Sequence, residues 1–230
     1  MELKGLVFDM DWTLYDRAQS DRAAMERFFP DHRDLFKEGV TLKEAQDAMV
    51  EADRYGCHFG WGRIREILAG KGVMKEPLPD ANWLYVRLQE LYAGCGVPFP
   101  DAEPTLKELH RRGFRLGIIT NGKEIRQIRK IEHFGFSSLV DAILIGGSDK
   151  SYAKPEKPIF WKMAGELELE PEELCYVGDD PKNDIEGARN AGYRTIWIRT
   201  MPWDYPDIRR ADKEIDRLGD LLPLFPGQKP

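Results

Sequence analysis

Cysteine is scarce in this chain: Cys57, Cys95 and Cys175 are the only three in 230 residues. An odd, widely spaced set with no closely paired spacing argues against a disulfide framework and against a cysteine-held zinc site, and it predicts that all three behave as small hydrophobes. Long apolar runs are missing as well. The first hydrophobic stretch, Gly5-Leu6-Val7-Phe8, is broken by Asp9 and Asp11, and nothing approaches the roughly 20 apolar residues a membrane helix needs. The expectation is a cytoplasmic protein with no secretory leader and no membrane partner. Basic runs are absent too, since 34 Lys and Arg face 40 Asp and Glu for a formal net charge of −6, which argues against a nucleic-acid partner. There is no internal repeat and no low-complexity tract, and 42% hydrophobic residues suffice for a true core at this length.

What the chain does contain is an alternation. From about residue 97, strand-like runs at 115–119, 142–145, 174–178 and 194–198 alternate with helical spacing at 103–112, 123–133, 157–166 and 184–191. The strand-like runs are continuously apolar, as expected where a parallel sheet is covered on both faces, and the run near 3–8 belongs with them. Residues 17–96 read as helices throughout: Ser20–Phe29, Thr41–Tyr55, Arg63–Lys71 and Asp80–Tyr92, with breaks expected at Pro30, Gly56–Gly62, Gly70–Gly72, Pro77–Pro79 and Gly94–Pro100. Thr41-Leu42-Lys43-Glu44 has the form of a capping box. The expected organisation is an α/β domain from residues 1–16 and 97–230, with a helical module of residues 17–96 inserted after the first strand.

Polar residues gather where the apolar runs end. Asp9-Met10-Asp11-Trp12-Thr13 follows the first strand, Thr120-Asn121-Gly122 follows Leu116-Gly117-Ile118-Ile119, and Gly178-Asp179-Asp180 through Asp184 follows Leu174-Cys175-Tyr176-Val177, with Lys154-Pro155 in the loop between the last two. Any one of these alone reads equally well as a solvated turn or a helix cap. Together they fall at the carboxyl ends of parallel strands, where such sheets place their sites. The set suits phosphoryl transfer to water. Asp9 can attack phosphorus to form an aspartyl-phosphate, Asp11 can protonate the leaving alkoxide and then deprotonate water, and Asp9 and Asp179 can supply oxygen ligands to Mg²⁺. Lys154 adds positive charge, while Thr120 and the amides around Asn121-Gly122 can hold nonbridging oxygens.

In this order the four segments resemble the motifs of the haloacid dehalogenase (HAD) superfamily. The resemblance covers essentially the whole chain and implies a Rossmann-like parallel-sheet core (the HAD fold) with a helical C1 cap. It implies Asp9 as nucleophile and metal ligand, Asp11 as acid/base with its backbone carbonyl on the metal, and Asp179 as the remaining protein ligand, with Asp184 acting from outside the direct ligand set. Thr120, Asn121 and Lys154 would contact the phosphoryl group, Thr13 would orient the first loop, and Asp180 would either sit near the metal or solvate its turn. Trp12 departs from the glycine common at its position in C1-capped members, and it would either pack against the loop or shape the entrance. Asp11 favours a phosphatase or phosphomutase, because resembling dehalogenases lack this second aspartate.

Selectivity is expected from the cap. In Gly56 to Arg65, Trp61 offers a flat apolar face and Arg63 an anion-binding fork, whereas His58 reads more simply as a packed or surface residue and Arg63 and Arg65 alike as the solvated face of a helix start. Phe28, Phe29 and the series Trp83, Tyr85, Leu88, Leu91 and Tyr92 read as buried helix faces. The segment Met201 to Pro206 has no assigned role. The function expected is a Mg²⁺-dependent phosphatase acting on a small phosphorylated metabolite. The alternatives are a phosphomutase of the same superfamily and a non-catalytic module that binds a phosphate ligand.

Overall fold

The apolar runs assemble into one parallel sheet. In the computed structural model, which describes residues 2–56, 60–147, 150–201 and 211–227, the strands are β1 (Gly5–Phe8), β2 (Arg115–Asn121), β3 (Ala142–Gly146), β4 (Leu174–Gly178), β5 (Arg194–Ile198) and β6 (Lys213–Ile215). Their order is β3-β2-β1-β4-β5-β6, and every neighbouring pair is parallel. Alternate side chains enter different cores. Leu6, Phe8, Leu116, Ile118, Cys175 and Val177 pack with Leu106 and Leu109 of α5 (Ala102–Arg111) and Ile131 of α6 (Glu124–His133). On the other face Val7, Ile119, Leu174 and Tyr176 pack with Phe160 and Met163 of α7 (Lys157–Glu166) and Ala188 of α8 (Gly187–Ala191). Burial on both faces is why these strands show no polar alternation.

In the sheet domain two details differ from expectation. The sixth strand, Lys213-Glu214-Ile215, extends the sheet with only one buried residue, too short and too charged to stand out as an apolar run. The helix expected over 184–191 is instead a π-type turn, Pro181–Glu186, that leads into a short α8. Buried Cys175 does pack as a hydrophobe, and burial drives its thiol pKa up.

Contacts divide the chain into two compact units, Met1–Tyr15 with Pro98–Pro230 and Asp16–Val97. The second unit contains α1 (Arg17–Asp31), α2 (Leu42–Gly56), α3 (Trp61–Lys71) and α4 (Ala81–Cys95), packed around Phe28, Met49, Ile64, Leu84 and Leu88. The capping box is formed: Glu44 N donates to Thr41 Oγ1 at 3.3 Å and Thr41 N to Glu44 Oε2 at 2.8 Å. Pro30 does not end its helix before it. It lies inside the last turn of α1, where its fixed φ suits the helix and only a terminal hydrogen bond is forgone. Arg17 grips the fully buried Asp53 with two bonds, of 2.8 and 2.5 Å, tying α1 to α2. Among the described residues no helix is long and apolar enough to cross a membrane.

Gly117, in β2, is a point of close approach. A Cβ there would lie 2.6 Å from Met163 Sδ and 3.4 Å from Leu167 Cδ1, both buried. Gly117→Ala is therefore expected to lower stability to urea by about 1–3 kcal/mol, the usual cost of overpacking a core. An unchanged unfolding midpoint would show that α7 yields freely.

Candidate active site

The loop after β1 is held by its own backbone. Asp9 N donates to Val177 O at 2.9 Å, prolonging the β1–β4 ladder past the strand, and the N–H groups of Thr13, Leu14 and Tyr15 converge on Met10 O at 3.2, 2.9 and 2.8 Å. The Thr13 hydroxyl is buried with no hydrogen-bond partner among the described residues, so these main-chain bonds, not its side chain, orient the loop. Trp12 takes φ +63°, a left-handed conformation that favours glycine and costs a bulky side chain about 1–2 kcal/mol. Its ring is buried, and its carbonyl accepts from the Thr200 hydroxyl. Of the two readings open for Trp12, its burial favours packing.

Lys154 lies at the centre of the site. Its ammonium donates to Asp9 Oδ1 at 2.5 Å, to Asp184 Oδ1 at 2.6 Å and to the Tyr176 hydroxyl at 3.0 Å, and the side chain is 3% exposed. Tyr176 in turn donates to Ile119 O at 3.0 Å. Asn121 fixes the Lys154 main chain from both sides, donating Nδ2–H to its carbonyl at 2.8 Å and accepting its N–H on Oδ1 at 2.9 Å. The Asn121 carboxamide thus positions Lys154, and the Gly122 amide donates to Gly146 O at 2.8 Å and is not presented as an anion donor.

The third cluster follows β4. Asp180 caps the turn, accepting from Lys182 N and Asn183 N on Oδ1 at 2.8 and 3.0 Å and from Asn183 Nδ2 on Oδ2 at 2.6 Å. Buried Asp180 is therefore a structural cap and not a solvated group. Asp184 Oδ2 accepts Asp180 N at 3.0 Å, which folds its carboxyl back over the strand end, where any side chain on Gly178 would collide with it. Trp197 Nε1 holds the Asp179 carbonyl at 2.7 Å.

Asp9, Asp179 and Asp184 each offer an oxygen, all within 4.8 Å of one another, and all three are buried. Three carboxylates beside one ammonium leave an excess of two negative charges when all are ionised, a donor set and charge that suit a hard divalent cation. Burial pushes the Asp9 carboxyl up to about 7, with Asp184 and Asp11 adding to the shift and Lys154 opposing it. One shared cation does not offset the burial of two carboxylates, and burial raises Asp184 as well. Burial also works against the Lys154 ammonium, yet Asp184 and Asp9 outweigh it and hold the pKa of Lys154 well above its ordinary range.

Asp11 has different partners. Its Oδ1 accepts from Lys130 Nζ at 2.8 Å and its Oδ2 from Gln127 Nε2 at 2.9 Å, both on α6. Gln127 Nε2 also reaches Thr120 Oγ1 at 2.6 Å, which links the ends of β1 and β2. Gln127, Lys130, Tyr176 and Trp197 have no place among the residues singled out from sequence. A signal existed for the first two, whose i, i+3 spacing sets them on one face of a helix that begins immediately after Thr120-Asn121-Gly122.

The strand ends thus bring together Asp9, Asp11, Thr120, Asn121, Lys154, Asp179 and Asp184. Trp61 and Arg63 lie in the helical unit, where Trp61 packs on Tyr85 with ring centroids 5.5 Å apart and Arg63 pairs with Glu66 at 3.0 Å. Arg65 donates to Pro79 O and Leu78 O at 2.7 and 3.1 Å. Phe28, Leu88 and Tyr92 are buried as expected, and Trp83 packs against Phe28. His58, Cys57 and Pro202 to Pro206 lie outside the described residues.

The chain belongs to the haloacid dehalogenase-like hydrolase family, whose model it matches over residues 3–192. It is 31% identical over 233 residues to the glyceraldehyde 3-phosphate phosphatase of Methanopyrus kandleri, covering 96% of each chain. It is 33% identical to the ribulose-1,5-bisphosphate 5-phosphatase of Halopiger xanaduensis, covering 95% of this chain and 98% of that one. Among solved structures, the HAD hydrolase YfnB from Bacillus subtilis, bound to magnesium, shares the fold with a TM-score of 0.75 at 21% identity, over 97% of this chain and 99% of that one.

A folded Asp9 that holds its proton up to about 7, against about 3.9 in the unfolded chain, stabilises the metal-free protein at low pH, and this contribution is lost as pH rises through 7. With a chelator present, the stability difference between the unmodified chain and Asp9→Asn is expected to shift against the unmodified chain between about pH 5 and about pH 8. Thermal unfolding midpoints across that range check this, and a flat difference would contradict it.

Proposed function

We propose that this protein is a Mg²⁺-dependent phosphatase that hydrolyses a small phosphomonoester through an aspartyl-phosphate on Asp9. The observation that carries the reading is the seating of Asp9: a buried carboxylate at a strand end, within 4.8 Å of two others and bonded to a buried lysine, with a second aspartate two residues on. The phosphatase names of relatives spanning nearly the whole chain support it.

Asp9 and Asp179 are the carboxylates available to hold the Mg²⁺, with the Asp11 backbone carbonyl as a further ligand, while Asp184, whose two oxygens accept from Lys154 Nζ and Asp180 N, acts from outside the direct ligand set. The ion supplies positive charge against which an anionic carboxylate and a phosphate dianion can meet. Asp9 attacks phosphorus while the bond to the leaving oxygen breaks, and Asp11 delivers a proton to that oxygen. Water then attacks the phosphorus of the intermediate, Asp11 takes its proton, and Asp9 departs as the carboxylate. Thr120 contacts the phosphoryl oxygens, Lys154 reaches them by exchanging one of its three acceptors for a phosphoryl oxygen, and Asn121 serves by holding Lys154. The Asp16–Val97 unit acts as a cap, with Trp61 and Arg63 as candidate selectivity residues.

Phosphate release from a panel of small phosphomonoesters tests the proposal. The expected result is Mg²⁺-dependent release that falls at least about 100-fold in both Asp9→Asn and Asp11→Asn, the scale of nucleophilic and acid–base contributions. Phosphoryl transfer to a sugar hydroxyl in place of water would make the protein a phosphomutase. Tight ligand binding by folded protein without turnover would make it a binding module.

A further inference from the structure

Lysines on surface helices ordinarily extend into water, but Lys130 does not. It is 9% exposed, its Nζ lies 4.9 Å from the centroid of the Tyr15 ring, and it is 2.8 Å from Asp11 Oδ1. Gln127, one turn earlier on the same helix, is also buried and bonds the other oxygen of the same carboxylate. We propose that Gln127 and Lys130 form a clamp on α6 that positions Asp11 as the acid/base of the reaction, a claim that rests on the role given to Asp11 above.

The two arms differ in kind. Lys130 is charged, walled by an aromatic face and directed at Oδ1, so it is the fixed arm. Gln127 Nε2 carries two hydrogens but lies within reach of three acceptors: Asp11 Oδ2 at 2.9 Å, Thr120 Oγ1 at 2.6 Å and Asn121 O at 3.2 Å. It can release Oδ2 without being orphaned, because its other two acceptors remain. Oδ2 is then the oxygen that carries the proton to the leaving group and later takes one from water, while Oδ1 stays on Lys130. Since Gln127 also holds the Thr120 hydroxyl, the clamp registers the acid/base against the end of β2.

The leaving group separates this role from a general one. An alkoxide needs the proton from Asp11 as its bond to phosphorus breaks, whereas p-nitrophenolate departs without it. Charge loss or partial unfolding would slow both substrates equally. For Lys130→Met, kcat/KM for the alkyl phosphomonoester that ranks first in the panel is expected to fall about 30-fold, and for p-nitrophenyl phosphate less than about threefold, short of a full acid–base contribution because Asp11 itself is retained. Lys130→Arg should recover most of the loss. Gln127→Leu, which leaves every charge in place, should show the same selectivity at about fivefold and keeps the test open if Lys130→Met does not fold. Equal losses on both substrates would overturn the clamp. Asp11→Asn in the same assay locates the failure: selective loss there beside unselective loss in the α6 variants refutes the clamp alone, and unselective loss in Asp11→Asn refutes the acid/base role itself.

Discussion

The Lys154 ammonium is the contact on which the site depends. Three donors meet three acceptors: Asp9 after β1, Asp184 after β4, and Tyr176 within β4. Its backbone is bound to Asn121 at the end of β2. The sheet order makes this possible, because β1 lies between β2 and β4 and all three strands run the same way, so their carboxyl ends open at one edge. A buried cation with every proton engaged is the arrangement in which an ion pair tolerates the loss of water. Without it, Asp9 and Asp184 would be two buried carboxylates in mutual repulsion, and burial already raises both.

Other features follow from keeping that ammonium in place. Asn121 commits its carboxamide to the Lys154 backbone, which explains an amide residue at the end of an apolar strand without requiring its side chain to face a ligand. Tyr176 counts as an apolar residue in its strand, yet its hydroxyl both accepts from Lys154 and donates to Ile119 O, as a buried phenol must. Gly178 leaves room for Asp184 to fold back over the strand end. The left-handed Trp12 shows where local conformation gives way to the loop: its strain is offset by burial of the indole and by the Thr200 bond to its carbonyl.

Much of this was legible from the residues. The first five strands and the residues that crown them were readable because burial on both faces of a parallel sheet removes polar alternation, leaving charge at the strand ends conspicuous. β6 was not, since an edge strand of three residues needs little apolar surface. Pro30 does not stop α1 earlier because its fixed φ is helical and the one hydrogen bond it removes lies a single residue before the helix ends at Asp31. Gln127 and Lys130 were hidden for a different reason. α6 alternates charged and apolar residues as an amphipathic helix does, and its polar residues read as a solvated face. Periodicity assigns a residue to a face, but a lysine stem is long enough to turn its ammonium back toward the sheet, and nothing in the spacing reveals which way it turns. Tyr176 and Trp197 were hidden similarly, as aromatic members of apolar runs whose polar tips bond to Lys154 and to the Asp179 carbonyl.

Under the proposed mechanism the two aspartates of the first loop do different work from positions two residues apart, and the structure gives each its own lysine. Asp9 meets Lys154 inside the sheet edge, among carboxylates that together suit a cation. Asp11 meets Lys130 from the outer helix, away from that cluster's ammonium. The separation matters because the two carboxylates interact: Asp11 is among the charges that raise Asp9. A single lysine shared between them would couple their charge states, so that a proton taken by Asp11 would change the nucleophile. On the proposed mechanism, two lysines on different elements would let Asp9 serve as the oxygen nucleophile while Asp11 exchanges a proton. That is the separation of environments by which paired carboxyl groups acquire distinct roles.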